Sequence, residues 1–225
     1  MPSLTSVHAP GALELGDRFR TLILEGAWPV GFKVPNDAAL SREFNASLGA
    51  VKEAVRGLVH TGLLEARSGR GTFVKATNEL VSAVEERARD ECTLHAMEAR
   101  EALESRAVAL AAERITAEQL GRLDEALQAR GAASDLAELT RADIAFHRLI
   151  VEATGNRLLE DMYEGLDQAR IFDLSGLRDT SPEESLQAEH QAVLDALRSR
   201  DPGRATSAAL VLLSRVRTKV LGPDA

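Results

Sequence analysis

Three side chains in the second half of the chain have the types and spacing that suit metal coordination: Asp143, His147 and His190. Asp143 and His147 are four residues apart, so in a helix both project from the same face. Periodicity places this pair on the apolar stripe of a predicted helix over 134–154, and His190 on the stripe of another over 183–199. Polar groups on inward faces cost free energy unless they are paired, hydrogen-bonded or bound to a metal. The pattern predicts a site for Zn²⁺ or Ni²⁺; the alternative is a core triad in which His147 bonds Asp143 and His190 bonds a backbone carbonyl.

Helical periodicity continues through the whole of this second half. Each helical segment ends at a capping or helix-stopping residue, and the connections are short. These features predict an antiparallel bundle built from segments 93–114, 116–130, 134–154, 156–173, 183–199 and 202–221. Residues 76–92 are charged and contain few large apolar side chains, so they are interpreted as a linker, or as a helix over Glu79–Arg89.

The first 75 residues have a different pattern. Three amphipathic segments, of which Ser47 can cap the third, precede two short extended pieces joined by Ser68-Gly69-Arg70-Gly71. Helix, helix, turn, helix and a two-stranded hairpin make a winged helix-turn-helix, whose third helix enters the major groove of DNA. The expected DNA contacts lie at that helix and at the hairpin tip: Ser47, Leu48, Gly49, Lys52, Arg56, Arg70 and Gly71.

Composition and charge agree with this division. The chain has 225 residues, of which 44% are hydrophobic and 4% aromatic. Residues 1–75 carry a net charge of +2 and residues 76–225 one of −10, as expected for a DNA-binding domain followed by an acidic second domain. No apolar run exceeds six residues, as at Ala208–Leu213, and the N-terminus lacks a secretory signal, so we expect a cytoplasmic protein without a membrane span. The single cysteine, Cys92, excludes an internal disulfide and a cysteine-based zinc cluster.

Residues 13–75 resemble the N-terminal domain of the GntR family of bacterial transcription regulators. The resemblance lies in Pro35, Leu40, Val51, Glu53, Ala54, Leu58, Gly62-Leu63 and Gly69-Arg70-Gly71-Thr72-Phe73-Val74. The chain departs from the family at Ala38 and Leu48, where a basic residue is usual, and at Lys52, which replaces an arginine. Leucine makes no hydrogen bond to a base and lysine acts as a point charge, so we expect binding through Lys52, Arg70 and phosphate contacts at an unusual operator.

The second half resembles the FCD domain of the FadR-type branch of that family. Arg100 and Glu104, Asp143-Ile144-Ala145-Phe146-His147, Gly155-Asn156, Glu189-His190 and Asp201 to Ala205 carry this resemblance. It implies a metal held by an Asp and three His below a cavity for a small carboxylate effector. Asp143, His147 and His190 match three ligands, and Leu212 stands at the fourth, so either a three-ligand site or a metal-free pocket follows. Arg100 is expected to bind the effector carboxylate, or else to pair with Glu104 at i, i+4.

These observations predict a mainly α protein of two domains. Residues 1–75 form the winged helix-turn-helix, 76–92 the linker, and 93–225 an all-helical, FCD-like antiparallel bundle that binds effector and dimerises. The protein is predicted to be a transcription regulator, more specifically a repressor, and not an enzyme. We expect it to bind a double-stranded operator as a homodimer and to respond to a small organic acid. The alternatives are an interaction protein with a degenerate DNA-binding domain and a helical metallohydrolase built on Asp143, His147 and His190.

Overall fold

The computed structural model describes residues 9–169 and 186–222 of the chain. It divides into two compact units, residues 1–83 and 84–225, and the division falls within helix α4. In the described residues the elements are, in chain order, α1 (Ala12–Leu24), α2 (Asp37–Glu43), α3 (Leu48–His60), β1 (Leu64–Arg67), β2 (Gly71–Val74), α4 (Glu79–Arg89), α5 (Thr93–Arg114), α6 (Ala117–Gly131), α7 (Leu136–Glu152), α8 (Arg157–Gln168), α9 (Gln187–Arg198) and α10 (Pro202–Leu221). The mainly α architecture predicted from periodicity is confirmed.

The first unit is a winged helix-turn-helix. Asn36 and Ser47 cap α2 and α3 by accepting hydrogen bonds from Ala39 N and Ala50 N, so the sequence sets where both helices begin. Strands β1 and β2 pair antiparallel with Leu64 opposite Val74. Gly69 and Gly71 have φ angles of 68° and 111°, which the turn between these strands requires and which other residues rarely adopt.

The core of this unit lies between α1, α2, α3 and the hairpin. Phe19 is fully buried and stacks on Trp28, with ring centroids 5.2 Å apart, and Phe44 meets it edge-on. The other large core residues include Leu15, Leu40, Val51, Leu58, Leu63, Leu64 and Val74. This packing holds α3 with its opposite face toward solvent.

The second unit is a helical bundle. Its core combines side chains from α5, α6, α7, α9 and α10, among them Val108, Leu123, Phe146, Ile150, Leu194, Leu197 and Leu212. Residues 170–173 of the predicted helix 156–173, the predicted break with Pro182, and the start of the predicted helix 183–199 lie outside the described residues. In the part of the chain that the structure describes, no helix has both the length and the apolar character needed to cross a membrane.

The segment 76–92, interpreted from the sequence as a linker or as a helix over Glu79–Arg89, contains that helix. Asn78 Oδ1 accepts a hydrogen bond from Val81 N, and α4 runs from Glu79 to Arg89. Arg20 on α1 donates to Glu79 over 2.6 Å within the first unit. In the second unit, Ala88 packs with Leu166 and Ala169.

Candidate functional site

The exposed face of α3 carries the residues expected to touch DNA. Leu48, Gly49, Lys52 and Arg56 are all exposed along this helix, and Ser47 is exposed at its N-cap. Arg56 lies 3.4 Å from Glu53, which is a loose pair between exposed side chains. At the start of the helix, therefore, Lys52 is the cation nearest the position where base edges are read.

The tip of the hairpin supplies a second exposed cation. Arg70 and Gly71 lie at this tip and border an open cleft of about 520 Å³ that Lys33 and Pro35 also line. The backbones of Lys33 and Phe73 of β2 form an isolated antiparallel β-bridge. This pairing places the exposed side chain of Lys33 against Gly71. Sequence reasoning did not single out Lys33, because nothing in its local pattern shows that the segment before α2 lies along the wing.

The three predicted metal ligands meet inside the bundle. Nε2 of His190 lies 3.1 Å from Oδ1 of Asp143, and Nε2 of His147 lies 3.9 Å from Oδ2 of the same carboxylate. One ligand atom from each residue lies within 4.8 Å of the other two. All three residues are buried, so helices α7 and α9 direct them to a common point.

The other ring nitrogen of each histidine has a separate partner. Nδ1 of His147 lies 2.8 Å from Oε2 of Glu104 on α5, and Nδ1 of His190 lies 2.7 Å from the carbonyl oxygen of Leu186. A proton held at Nδ1 by such partners leaves the lone pair at Nε2, which is the arrangement found around metal-binding histidines. Nε2 of His190 is buried and makes no hydrogen bond of good geometry, so the donor set fits a divalent cation.

Leu186 has an unusual backbone where it holds His190. Its φ is 60°, in the left-handed region that a leucine rarely adopts, and it is the residue before the first turn of α9. In this conformation its carbonyl oxygen accepts from both the backbone N and Nδ1 of His190. A glycine or asparagine at position 186 would have predicted this left-handed backbone, but the sequence has leucine there.

Two arginines neutralise the carboxylates of this cluster, Arg130, which is buried, and Arg100, which is part-buried. Nε of Arg130 donates to Oδ1 of Asp143 over 2.8 Å, and its Nη1 donates to Gln187 at the start of α9. Arg100 pairs with Glu104, and its Nη2 lies 3.5 Å from the hydroxyl of Tyr163. The i, i+4 pair with Glu104, one of the two roles that the sequence offered for Arg100, is present in the structure.

The network keeps both carboxylates ionised. Burial alone would raise the pKa of Glu104, but Arg100 and His147 outweigh it and lower the pKa to about 2. Burial also opposes ionisation of Asp143, yet contacts with His190, His147 and Arg130 hold its pKa well below the usual range. Burial lowers the pKa of His190, which favours the neutral ring that a metal requires.

Leu212 lies beside this cluster on α10. It is 2% exposed and, with Glu104 and His147, lines a cavity of about 10 Å³, room for about one water molecule. No other His, Cys, Asp or Glu of the described residues joins Asp143, His147 and His190 as a further ligand. A second group, Glu91, Cys92 and His95, is largely exposed at the start of α5, where His95 Nδ1 pairs with Glu91 over 3.0 Å.

A winged helix-turn-helix followed by a helical bundle defines a class of protein, the DNA-binding transcription regulators. Comparison with known families identifies the group within this class. Residues 12–74 match "Bacterial regulatory proteins, gntR family", and residues 95–215 match "FCD domain". The chain therefore belongs to the GntR family of regulators and carries an FCD domain, as the resemblance predicted.

Characterised relatives cover nearly the whole chain. HTH-type transcriptional regulator LutR of Bacillus subtilis is 30% identical over 89% of this chain and 97% of its own. The galactonate operon transcriptional repressor of Escherichia coli K12 is 28% identical over 85% of this chain and 89% of its own, and the transcriptional repressor NanR of Cronobacter sakazakii is 30% identical over 83% and 76%. Among solved structures, a GntR protein of Streptococcus agalactiae is 26% identical, with a TM-score of 0.60 over 92% of this chain and 98% of that one.

Proposed function

We propose that this regulator is a repressor that acts in the cytoplasm as a homodimer on a two-fold operator. A small organic acid bound in the bundle changes its affinity for DNA. Two of the relatives are named as repressors, one of them of a galactonate operon, which supports a sugar acid or a similar carboxylate as the signal. The function proposed is binding and release of DNA, not turnover of a substrate.

The observation that carries the effector half of the proposal is the convergence of Asp143, His147 and His190. One ligand atom from each residue lies within 4.8 Å of the other two, while Nδ1 of each ring is held by Glu104 or by the Leu186 carbonyl. These three residues would hold a divalent cation, which supplies open coordination positions for carboxylate oxygens or water. Glu104 and the Leu186 carbonyl then orient the two rings, and Arg130 orients Asp143.

Arg100 is the residue proposed to meet the effector carboxylate. It is part-buried and charged: burial opposes the charge, but the adjacent Glu104 outweighs that effect and raises the pKa of Arg100 further. An incoming carboxylate would share its guanidinium with Glu104, or replace that partner in a bidentate pair. The hydroxyl of Tyr163, which lies 3.5 Å from Arg100, would stay in contact with the guanidinium while its carboxylate partner changes.

The test uses the full chain and a DNA duplex from the region upstream of its own gene. Affinity is measured with Zn²⁺ or Ni²⁺ present, then with galactonate, lactate and citrate added separately. We expect sequence-selective binding that weakens at least tenfold with one acid. His147→Ala should lose the response, whereas His95→Ala, a change in the exposed Glu91–Cys92–His95 group, should keep it. Selective DNA binding that no acid alters would contradict the effector half, and absence of selective binding would favour an interaction protein.

A further inference from the structure

Leu48 is an exposed leucine at the point of α3 that faces DNA. It is the first residue of the helix and half exposed, at 50%. It does not belong to the core cluster of its own unit, although Val51 and Ala54 on the same helix do. The N-terminal residues of a recognition helix contact base edges in the major groove, so Leu48 occupies a reading position.

Only Ser47 among the neighbours of Leu48 in the first turn can donate a hydrogen bond to a base. Its side chain is held at the helix cap, where the hydroxyl oxygen accepts from Ala50 N and the O–H stays available. Gly49 has no side chain and Ala50 presents only a methyl group. The first cation of the helix is Lys52, one turn further on. The leading edge of α3 is therefore aliphatic.

The major-groove edges of the four base pairs carry hydrogen-bond donors and acceptors, and one apolar group, the 5-methyl of thymine. A leucine placed against a donor or acceptor would remove water from it and give nothing in return. A leucine placed against the methyl buries two apolar surfaces together. 5-Methylcytosine presents the same methyl group at the same place on its ring.

We infer that Leu48 is a specificity-determining residue that contacts the 5-methyl group of a pyrimidine, which is thymine in unmodified DNA. The inference rests on the proposed DNA-binding function and adds to it the chemistry of one operator position. Lys52, one turn further on, can donate to guanine or to a phosphate, so a preference for thymine at the first residue of α3 comes from Leu48.

The experiment begins with selection of duplexes from a randomised pool by the full-length protein. Each selected thymine is then replaced by deoxyuridine, which removes only the methyl group. Loss of one buried methyl corresponds to about fourfold weaker binding. We expect that loss at one thymine of the half-site with the wild-type protein, and no effect of the same replacement with Leu48→Ala. At that position, 5-methylcytosine should bind Leu48 better than cytosine does.

Controls separate this inference from the function on which it rests. Leu158→Ala removes another exposed leucine, 59% exposed and in the other unit, and should keep the full sensitivity to deoxyuridine. Arg70→Ala should weaken binding equally to the thymine and deoxyuridine duplexes. Selective binding without methyl dependence, or the same dependence in Leu48→Ala, would overturn the assignment of Leu48 alone. Failure to select any sequence would overturn DNA recognition itself, and this inference with it.

Discussion

His147 is held by Glu104, a residue on another helix of the bundle. Nδ1 of the ring lies 2.8 Å from Oε2 of Glu104, whereas Nε2 stands 3.9 Å from Asp143, one turn away on the same helix. Of the core triad that the sequence offered as the alternative, the bond of His190 to a backbone carbonyl is present, at Leu186, whereas His147 bonds Glu104 and not Asp143. Glu104 fixes the ring of His147 and leaves Nε2 toward His190 and Asp143, as the proposed metal site requires.

Replacing Glu104 by Gln should weaken metal binding. The amide keeps an acceptor for His147 but loses the negative charge that makes the ring a better ligand, so we expect about a 10- to 100-fold lower Zn²⁺ affinity. Competition with a chromophoric chelator measures it. Glu101→Gln is the matched control, since Glu101 lies near on α5 and pairs with Arg217 over 3.3 Å, away from the ligands. Equal losses in both variants would show that Glu104 has no special effect on His147.

Removal of the Arg130 guanidinium should destabilise the metal-free bundle strongly. Arg130→Met leaves the buried carboxylate of Asp143 without its cation, and breaking one side of such a pair costs about 3–5 kcal/mol. Arg122→Met is the control, because Arg122 pairs with Glu152 at the surface, where an ion pair contributes at most about 1 kcal/mol. Urea unfolding in the presence of a chelator gives both values. Similar losses for the two variants would contradict a charged, buried Asp143.

Helical periodicity and capping residues were sufficient to predict the fold. Ser47 and Asn36 begin helices where their side chains cap them, and the hairpin turns at Gly69 and Gly71. Periodicity also placed Asp143, His147 and His190 on inward faces, because polar residues on an apolar stripe are visible in one sequence.

The partners of those three residues were harder to predict. Arg130 falls at the end of α6 and Glu104 beside an arginine at i, i+4, so each has an ordinary surface explanation in the sequence. The left-handed turn at Leu186 has no local signal at all. Contacts between helices decide these roles, and a single sequence does not specify which helices become neighbours.

Acid should destabilise the metal-free bundle, and Glu104 should account for part of the loss. Its pKa is about 2 in the fold and 4.5 ordinarily, so its contribution is complete above pH 4.5 and disappears as the pH falls toward 2. The lowered pKa values of Asp143 and His190 also make the fold less stable as the pH falls. For His190 this loss of stability begins below pH 6.5, the ordinary pKa of histidine. A shift of this size for Glu104 corresponds to about 3 kcal/mol.

Urea midpoints measured between pH 7 and pH 3 with a chelator present test this pH dependence. The curve for Glu104→Gln should be flatter than that of the wild type below pH 4.5. Glu101→Gln should follow the wild type, since its carboxylate is part-exposed. Parallel curves for wild type and Glu104→Gln would contradict the role of Glu104.

The salt dependence of DNA binding should report the two exposed cations of the first unit. If Lys52 and Arg70 each neutralise one phosphate, Lys52→Ala and Arg70→Ala should each reduce the slope of log K against log salt by about one. Lys219→Ala, a change at the end of α10, is the control and should leave the slope unaltered. An unchanged slope in Lys52→Ala or Arg70→Ala would remove that residue from the phosphate contacts.

Leu212→His should complete the ligand set. Leu212 is buried on α10 and shares a cavity of about 10 Å³ with His147 and Glu104, so an imidazole at this position has space near the other ligands. The metal-free variant should lose about 1–3 kcal/mol of stability, because the new polar ring is buried without a partner. A fourth ligand should raise Zn²⁺ affinity at least tenfold, so added Zn²⁺ should increase the melting temperature more than it does in the wild type.

Leu212→Asn is the matched variant, since it buries a polar group that Zn²⁺ does not favour. It should show the same instability without the gain in affinity. A folded Leu212→His that binds Zn²⁺ no more tightly than the wild type would show that this face of α10 does not reach the three ligands.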